Sequence, residues 1–232
     1  MKLIHLMLNI IEVISLRINE EFLSFQGEIN VGRLAYFIRL GGCPLQCNFC
    51  DTDYAHTEFF EMDIKELANK AIYFPRLVIT GGEPLYQKEE LAKFINRVTK
   101  MNENINIEIE TNGTIKPSGI KCYDKITFNV SPKMKNSGNK TEDRLKPEVI
   151  EWFKDYGANF KFVVDTKEDI NEVNAFVTSF EIKKHNVYLM PLGKTTKEQL
   201  SKMATIAEYA KVFGYNITPR LHVLIWGEER AK

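Results

Sequence analysis

Arg39-Leu40-Gly41-Gly42-Cys43-Pro44-Leu45-Gln46-Cys47-Asn48-Phe49-Cys50-Asp51-Thr52 is the stretch on which the reading of this chain turns. Three of the four cysteines stand in it, spaced C-x3-C-x2-C, and the fourth, Cys122, is far away. An odd, tightly clustered set cannot staple distant loops. The pattern points to a metal site in a reducing compartment rather than to a disulfide framework. A structural zinc site asks for four ligands at more conventional spacings, with His56 as the fourth here. A four-iron cluster is the better match, because three thiolates leave one iron open to a substrate or cofactor.

Working outward, residues 34–40 before the cysteines are short, apolar and rich in large side chains, as a buried strand is. Residues 13–25 read as extended, up to a turn at Gln26-Gly27-Glu28. After the cysteines, Asp63 with Glu66 starts a helix to about residue 73. Residues 76–80 form a short strand that ends in Gly81-Gly82-Glu83-Pro84, and residues 88–101 a helix. Further strands are expected over residues 106–110, 125–130, 159–164, 186–190 and 216–221. Helices are expected over residues 147–156, 166–180 and 196–213, the last capped by Thr196 with Gln199. Residues 134–146 are polar and read as a mobile loop.

Strands and helices alternate from residue 34 onward, which implies parallel strands with right-handed crossovers. Loops that follow strands then share one rim, where barrel sites are built. The stretch between Glu110 and Lys125 is too short for a crossover helix. The expected fold is therefore α/β, a partial β/α barrel with an irregular segment after its third core strand. One domain over residues 1–232 is expected, with residues 1–12 as an N-terminal extension.

The composition fits this. The chain has 232 residues, 44% hydrophobic and 27% charged, with 31 basic and 31 acidic side chains. A balanced charge gives no global attraction to nucleic acid or to a membrane. The start carries Lys2, His5 and Glu12, without a long apolar run or a cleavage site, and reads as a cytoplasmic N-terminus, with Met7 an equally good start. Residues 116–146 hold eight Lys/Arg and three Asp/Glu, mostly a solvated face.

Cys43, Cys47 and Cys50, with Phe49 before the third cysteine and Gly81-Gly82-Glu83-Pro84 after the next strand, resemble the radical S-adenosylmethionine (SAM) superfamily. The resemblance narrows with Ser24-Phe25-Gln26-Gly27-Glu28, Cys50-Asp51-Thr52, Glu110-Thr111-Asn112-Gly113-Thr114, Ser131-Pro132-Lys133 and His222-Val223-Leu224-Ile225-Trp226-Gly227. In that order they look like the 7-carboxy-7-deazaguanine synthase family, from about Glu20 to Gly227. Where that family often has Gln-Gly-Glu-Gly, this chain has Gln26-Gly27-Glu28-Ile29.

The resemblance implies a [4Fe-4S] cluster on the three cysteines and SAM on its open iron. It implies conversion of 6-carboxy-5,6,7,8-tetrahydropterin to 7-carboxy-7-deazaguanine with loss of ammonia. The reduced cluster would cleave SAM to a 5′-deoxyadenosyl radical that takes hydrogen from pterin C6, and ring contraction would follow. It also implies SAM contacts at Phe49, Gly82, Glu83, Ser131, Pro132 and Lys133. Pterin contacts fall on Phe25, Gln26, Gly27, Arg39, Thr80 and His222, with Mg2+ at Thr52. A homodimer and an external reductant such as flavodoxin are implied too. Residue chemistry agrees at Arg39, whose planar fork suits a carboxylate, and at Gln26, whose amide could meet both donor and acceptor edges of a ring. Glu110 and Asn112 sit on the same rim, as ligands or braces. Lys161 faces in or out according to register. Cys122 and Trp152 read as core. A glycyl-radical activase or a non-catalytic zinc- or cluster-binding module are the rival readings.

Overall fold

The computed structural model describes residues 14–232; the extension over residues 1–12, its start and Val13 lie outside the described residues. In chain order the elements are β1 (Ser15–Phe25), β2 (Leu34–Leu40), β3 (Phe60–Asp63), α1 (Ile64–Ala71), β4 (Arg76–Gly81), α2 (Lys88–Met101), β5 (Asn106–Thr111) and β6 (Ile126–Val130). Then come α3 (Thr141–Arg144), α4 (Pro147–Tyr156), β7 (Asn159–Val164), α5 (Lys167–Ser179), β8 (Val187–Pro191), α6 (Thr196–Phe213), β9 (Asn216–Ile217) and α7 (Leu221–Trp226). The strands form one sheet in the order β3-β1-β2-β4-β5-β6-β7-β8-β9. β1 is antiparallel to β2 and β3, and each pairing from β2 through β9 is parallel. The sheet ends on β3 and β9, so the barrel is partial, as expected. Among the described residues no helix is long and apolar enough to cross a membrane.

Strand side chains alternate between faces. Here Tyr36, Ile38, Leu77, Ile79, Ile107, Ile109, Phe128, Phe160 and Phe162 turn outward and join the helices in the main core. Arg39, Thr80, Glu110, Lys161 and Val163 turn the other way and line a cavity. Registers such as Arg39 opposite Thr80, Val78 opposite Glu108 and Glu110 opposite Asn129 keep the two faces in step. The Ile-polar alternation that marks β5 in the sequence therefore sends its polar side inward.

No α-helix joins β5 to β6; one 3-10 turn, Tyr123–Lys125, precedes β6. Asn96 on α2 does the bracing instead, donating to the Gly119 carbonyl and accepting from the Lys121 N–H, both at 2.8 Å. Ile120 is buried beneath this loop. Tyr156 donates to the carbonyls of Tyr123 and Ile126 at 2.7 and 2.6 Å. Cys122 and Trp152 pack on the core, as read.

Three local expectations are corrected, and one strand is new. The α6 cap is Thr195 with Glu198, because Gln199 is buried and donates to the carbonyls of Pro191 and Gly193. The last strand stops at Ile217, and residues 221–226 are helical; Pro219 has no N–H to extend a ladder. β3 was not read from the sequence. Residues 134–146 are no free loop: they hold α3, and Arg144 donates to the Lys133 carbonyl at 2.9 Å and pairs with Glu172 on α5 at 3.4 Å.

The floor of the barrel is polar. Glu108 is 1% exposed, and its carboxylate accepts from Arg76 at 2.5 Å, Asn30 and Gln26 at 3.1 Å and Asn129 at 3.3 Å. Removing the cation from a buried pair costs about 3–5 kcal/mol, whereas removing both charges is far milder. Urea unfolding of metal-free Arg76→Met should show a loss of about 3 kcal/mol, with Arg76→Met/Glu108→Gln recovering most of it. Equal stability of wild type and Arg76→Met would refute the role of this pair.

Candidate active site

The ends of β2 and β4 to β8 open into one cavity of about 310 Å³. Cys43, Cys47 and Cys50 line it as free thiols. Burial pushes the Cys43 thiol up to about 11 and the Cys47 thiol upward too. A metal would have to displace these protons. Each sulfur has a polar neighbour. The Leu45 N–H and Asn112 Nδ2 point at Cys43 Sγ, at 3.5 and 3.8 Å. Asn139 Nδ2 is 3.2 Å from Cys47 Sγ, and Thr52 Oγ1 is 3.9 Å from Cys50 Sγ. A lone zinc needs ligands about 2.0–2.3 Å from one point. Among the described residues no three Cys, His, Asp or Glu groups converge that way. Three cysteines lining one cavity, with N–H groups directed at the sulfurs of Cys43 and Cys47, suit the three protein-held corners of a cluster.

Gly82 also packs against the cysteine loop. A Cβ there would lie 2.8 Å from Cys43 Cβ and overlap the Gly42 carbonyl. Its bareness lets the β4 loop press on the cysteine loop, and the Glu83 N–H donates to the Gly42 carbonyl at 2.9 Å. Glu83 was expected to meet the SAM ammonium. Instead its side chain is fully buried. It accepts from the N–H groups of Leu85 and Asn112 and from Thr111 Oγ1, at 2.9, 2.6 and 2.8 Å. Burial raises its pKa. Glu83 is thus a brace between the β4 and β5 loops. Gly82, Phe49, Ser131 and Lys133 line the cavity, with Lys133 Nζ 3.0 Å from Ser131 Oγ, whereas Pro132 is buried behind it.

The other wall carries the residues assigned to the pterin. Arg39 Nε donates to Glu20 at 2.7 Å; among the described residues no protein group takes its terminal nitrogens. Thr80 donates to Glu110 at 3.0 Å and so fixes that carboxylate. Burial raises the Glu110 pKa. Gln26 departs from the expectation that its amide reads a ring. It is 1% exposed and already donates to Glu108 and Glu110, at 3.1 and 3.2 Å, and accepts from the Glu28 N–H at 3.2 Å. Phe25, Gly27, Thr52 and His222 line the cavity. The Gly27 carbonyl accepts from the Leu221 N–H at 2.7 Å, which sets His222 against Gly27.

Register turns Lys161 inward, against Glu28. Burial, then Arg220, push its ammonium down to about 7. Arg220 pairs with Asp51, beside the third cysteine, and donates to the Gly193 carbonyl at 3.0 Å. Burial would raise the Asp51 pKa, but Arg220 and Arg39 hold it below the usual range. Lys161, Arg220 and Tyr54, which donates to Glu20 at 3.3 Å, were not assigned from sequence. Lys161 needed a strand register, which one sequence does not fix; Tyr54 and Arg220 lie off the strands and reach the site only through loop packing.

His222 offers a pH test. Burial, then Arg220, lower its pKa from 6.5 to about 4. Within that window the unfolded chain binds a proton that the folded chain excludes, so stability falls as pH drops. The contribution is up to about 3 kcal/mol. Denaturant unfolding of the metal-free protein should therefore show a shallower acid loss in His222→Asn than in wild type; parallel curves would refute it.

Comparison with known proteins agrees with this geometry. A family model, the Radical SAM superfamily, matches residues 37–177. The 7-carboxy-7-deazaguanine synthase of Pyrobaculum aerophilum is 36% identical over 93% of this chain and 97% of its own. That of Hyperthermus butylicus is 35% identical, over 90% and 92%. That of Clostridium acetobutylicum is 28% identical, over 92% and 97%. In fold, the chain is similar to SuiB of Streptococcus suis, solved bound to S-adenosylmethionine, with a TM-score of 0.53 and 16% identity over 79% of this chain and 50% of that one. A conventional structural zinc module does not explain these matches, and the chain belongs to the radical SAM superfamily and, within it, to the 7-carboxy-7-deazaguanine synthase family.

Proposed function

We propose that this chain converts 6-carboxy-5,6,7,8-tetrahydropterin to 7-carboxy-7-deazaguanine with loss of ammonia, for queuosine and other deazapurines. One observation carries the reading. The cysteine loop and a carboxylate-matching arginine, Arg39, face a single cavity, in a chain whose relatives bear this enzyme's name. With a [4Fe-4S] cluster on Cys43, Cys47 and Cys50 and SAM at its open iron, the site supplies one-electron chemistry that begins by removing a substrate hydrogen.

The protein's own part is placement and water exclusion. The Arg39 fork takes the pterin carboxylate, with Glu20 and Tyr54 holding its inner edge. Glu110, aimed by Thr80, accepts from ring N–H groups. Phe25, the backbone at Gly27, and His222 close over the ring, while Gln26 holds their turn from behind. Phe49, Gly82, Ser131 and Lys133 contact SAM, with Lys133 on its carboxylate. Glu83 and Pro132 support that wall from outside the cavity. A Mg2+ shared by Thr52, substrate oxygens and waters belongs to the same reading. So do a single radical SAM domain, a homodimer, a cytoplasmic location and a flavodoxin-type reductant.

Anaerobic reconstitution with iron and sulfide, then reductant, SAM, Mg2+ and the carboxytetrahydropterin, should give the deazapurine by mass. Deoxyadenosine without that product would sink the substrate, and zinc in place of iron and labile sulfide would sink the enzyme. Cys47→Ala should lose SAM cleavage altogether.

Arg39→Ala should bind SAM as wild type does and the pterin about 10- to 100-fold more weakly, the worth of a charge-assisted hydrogen-bond pair. Unchanged pterin affinity by calorimetry would remove Arg39 from the substrate site.

A further inference from the structure

The polar segment over residues 134–146 is stitched to the cysteine loop. The Asn48 N–H donates to the Ser137 carbonyl at 3.0 Å. The Gln46 N–H donates to Asn139 Oδ1 at 2.9 Å. Gly138, at φ +77°, lies so close that a Cβ would come within 2.7 Å of Asn48 Cγ. Asn139 is the centre of this seam. Its Nδ2 donates to Cys47 Sγ and to Ser137 Oγ, both at 3.2 Å. Its amide cannot be turned over, because the nitrogen would then face the Gln46 N–H, donor against donor. Among the described residues Asn139 is the one donor to the Cys47 sulfur. The contacts to the other two sulfurs are longer, with Asn112 Nδ2 3.8 Å from Cys43 Sγ and Thr52 Oγ1 3.9 Å from Cys50 Sγ.

We infer that Asn139 is a positioning residue for the iron–sulfur cluster: its N–H holds the Cys47 sulfur and makes the cluster easier to reduce. A ligating thiolate carries negative charge, and that charge grows when the cluster gains an electron. A hydrogen bond donated to the sulfur is therefore stronger in the reduced state. The outer partner changes the metal centre without touching the metal. The step it tunes is the transfer of one electron from an external low-potential donor, which is oxidised, to the cluster; no bond is made or broken. The inference rests on the cluster assignment and not on the identity of the substrate.

The test uses reconstituted full-length protein without SAM or pterin, in a dithionite titration followed by electron paramagnetic resonance. Asn139→Asp keeps the acceptor for the Gln46 N–H and loses the donor to sulfur. Asn139→Leu loses both and adds no charge. At the potential that half-reduces wild type, the reduced-to-oxidised ratio should fall about tenfold in Asn139→Leu, as the loss of one such bond predicts, and further in Asn139→Asp, whose carboxylate adds a negative charge beside the sulfur, with iron and sulfide content unchanged. An unchanged ratio in variants with full clusters would overturn the inference. If Asn139→Leu holds no cluster, Asn139→Ala, which also loses the donor and adds no charge, decides. If neither does while both melt as wild type does, Asn139 builds the site rather than tunes it, and the inference also falls. A shifted ratio in a protein that makes no deazapurine would sink the proposed substrate and leave this inference standing. An unshifted ratio in a productive enzyme would do the reverse.

Discussion

A strand can give only one face to its helices, and in this barrel that rule decides both packing and chemistry. The outward face takes the isoleucines and phenylalanines of β2, β4, β5, β6 and β7 into the main core. The inward face must then carry whatever the site needs, deep in the protein. Buried polar groups are costly unless they are bonded. The structure meets that demand with a chain of contacts from floor to rim: Arg76 donates to Glu108, Gln26 to Glu108 and Glu110, and Thr80 to Glu110. Each acid on this line is held by at least two donors. A carboxylate can therefore face the cavity at Glu110 without the barrel floor giving way.

The rim is held by its loops locking one another. The cysteine loop meets Gly82 on one side and the Ser137–Asn139 seam on another. Glu83 ties the β4 loop to the β5 loop. The side that the strands leave open is crossed by residues 218–232. Arg220 reaches Asp51, the Leu221 N–H reaches Gly27, and Arg230 lies 3.5 Å over the Tyr54 ring and 3.8 Å from Glu20. Parts distant in sequence thus fix the same dozen residues around Cys43 to Tyr54. A loop rich in polar backbone can be rigid when other loops satisfy it.

Much of this was legible in the residues. The cysteine spacing, the Gly-Gly-Glu loop and the alternation of strands with helices give the superfamily and the partial barrel. The short interval after Glu110 announces the missing crossover helix. What failed to show has a common physical cause. A sequence states what a side chain can do, not whether its groups are already taken. Gln26 and Glu83 have the donors and acceptors a ligand would want, and in the fold those are occupied. Lys161 needed a register. Asn139 hid in a segment whose composition looks mobile, because the contacts that order it lie on a loop about ninety residues earlier. The α6 cap slipped by one because Thr195 with Glu198 and Thr196 with Gln199 are both sound boxes. Only the burial of Gln199 chooses between them.

The inner face and the cysteine loop are not independent halves of the site, because β2 carries both. Arg39 is the last inward-facing residue of that strand, and Cys43 follows four positions later. Four residues of extended chain span at most ~14 Å, so the cation and the first thiolate cannot drift apart whatever the other loops do. Across the sheet, Arg39 stands opposite Thr80, and Thr80 fixes Glu110. In the proposed reading, a planar molecule with its carboxylate on Arg39 and its N–H edge on Glu110 would be held beside the cysteine loop by two side chains whose spacing the strand register sets. Under that reading the motifs flanking the cysteines would carry the substrate information, and the thiolates the chemistry of the metal.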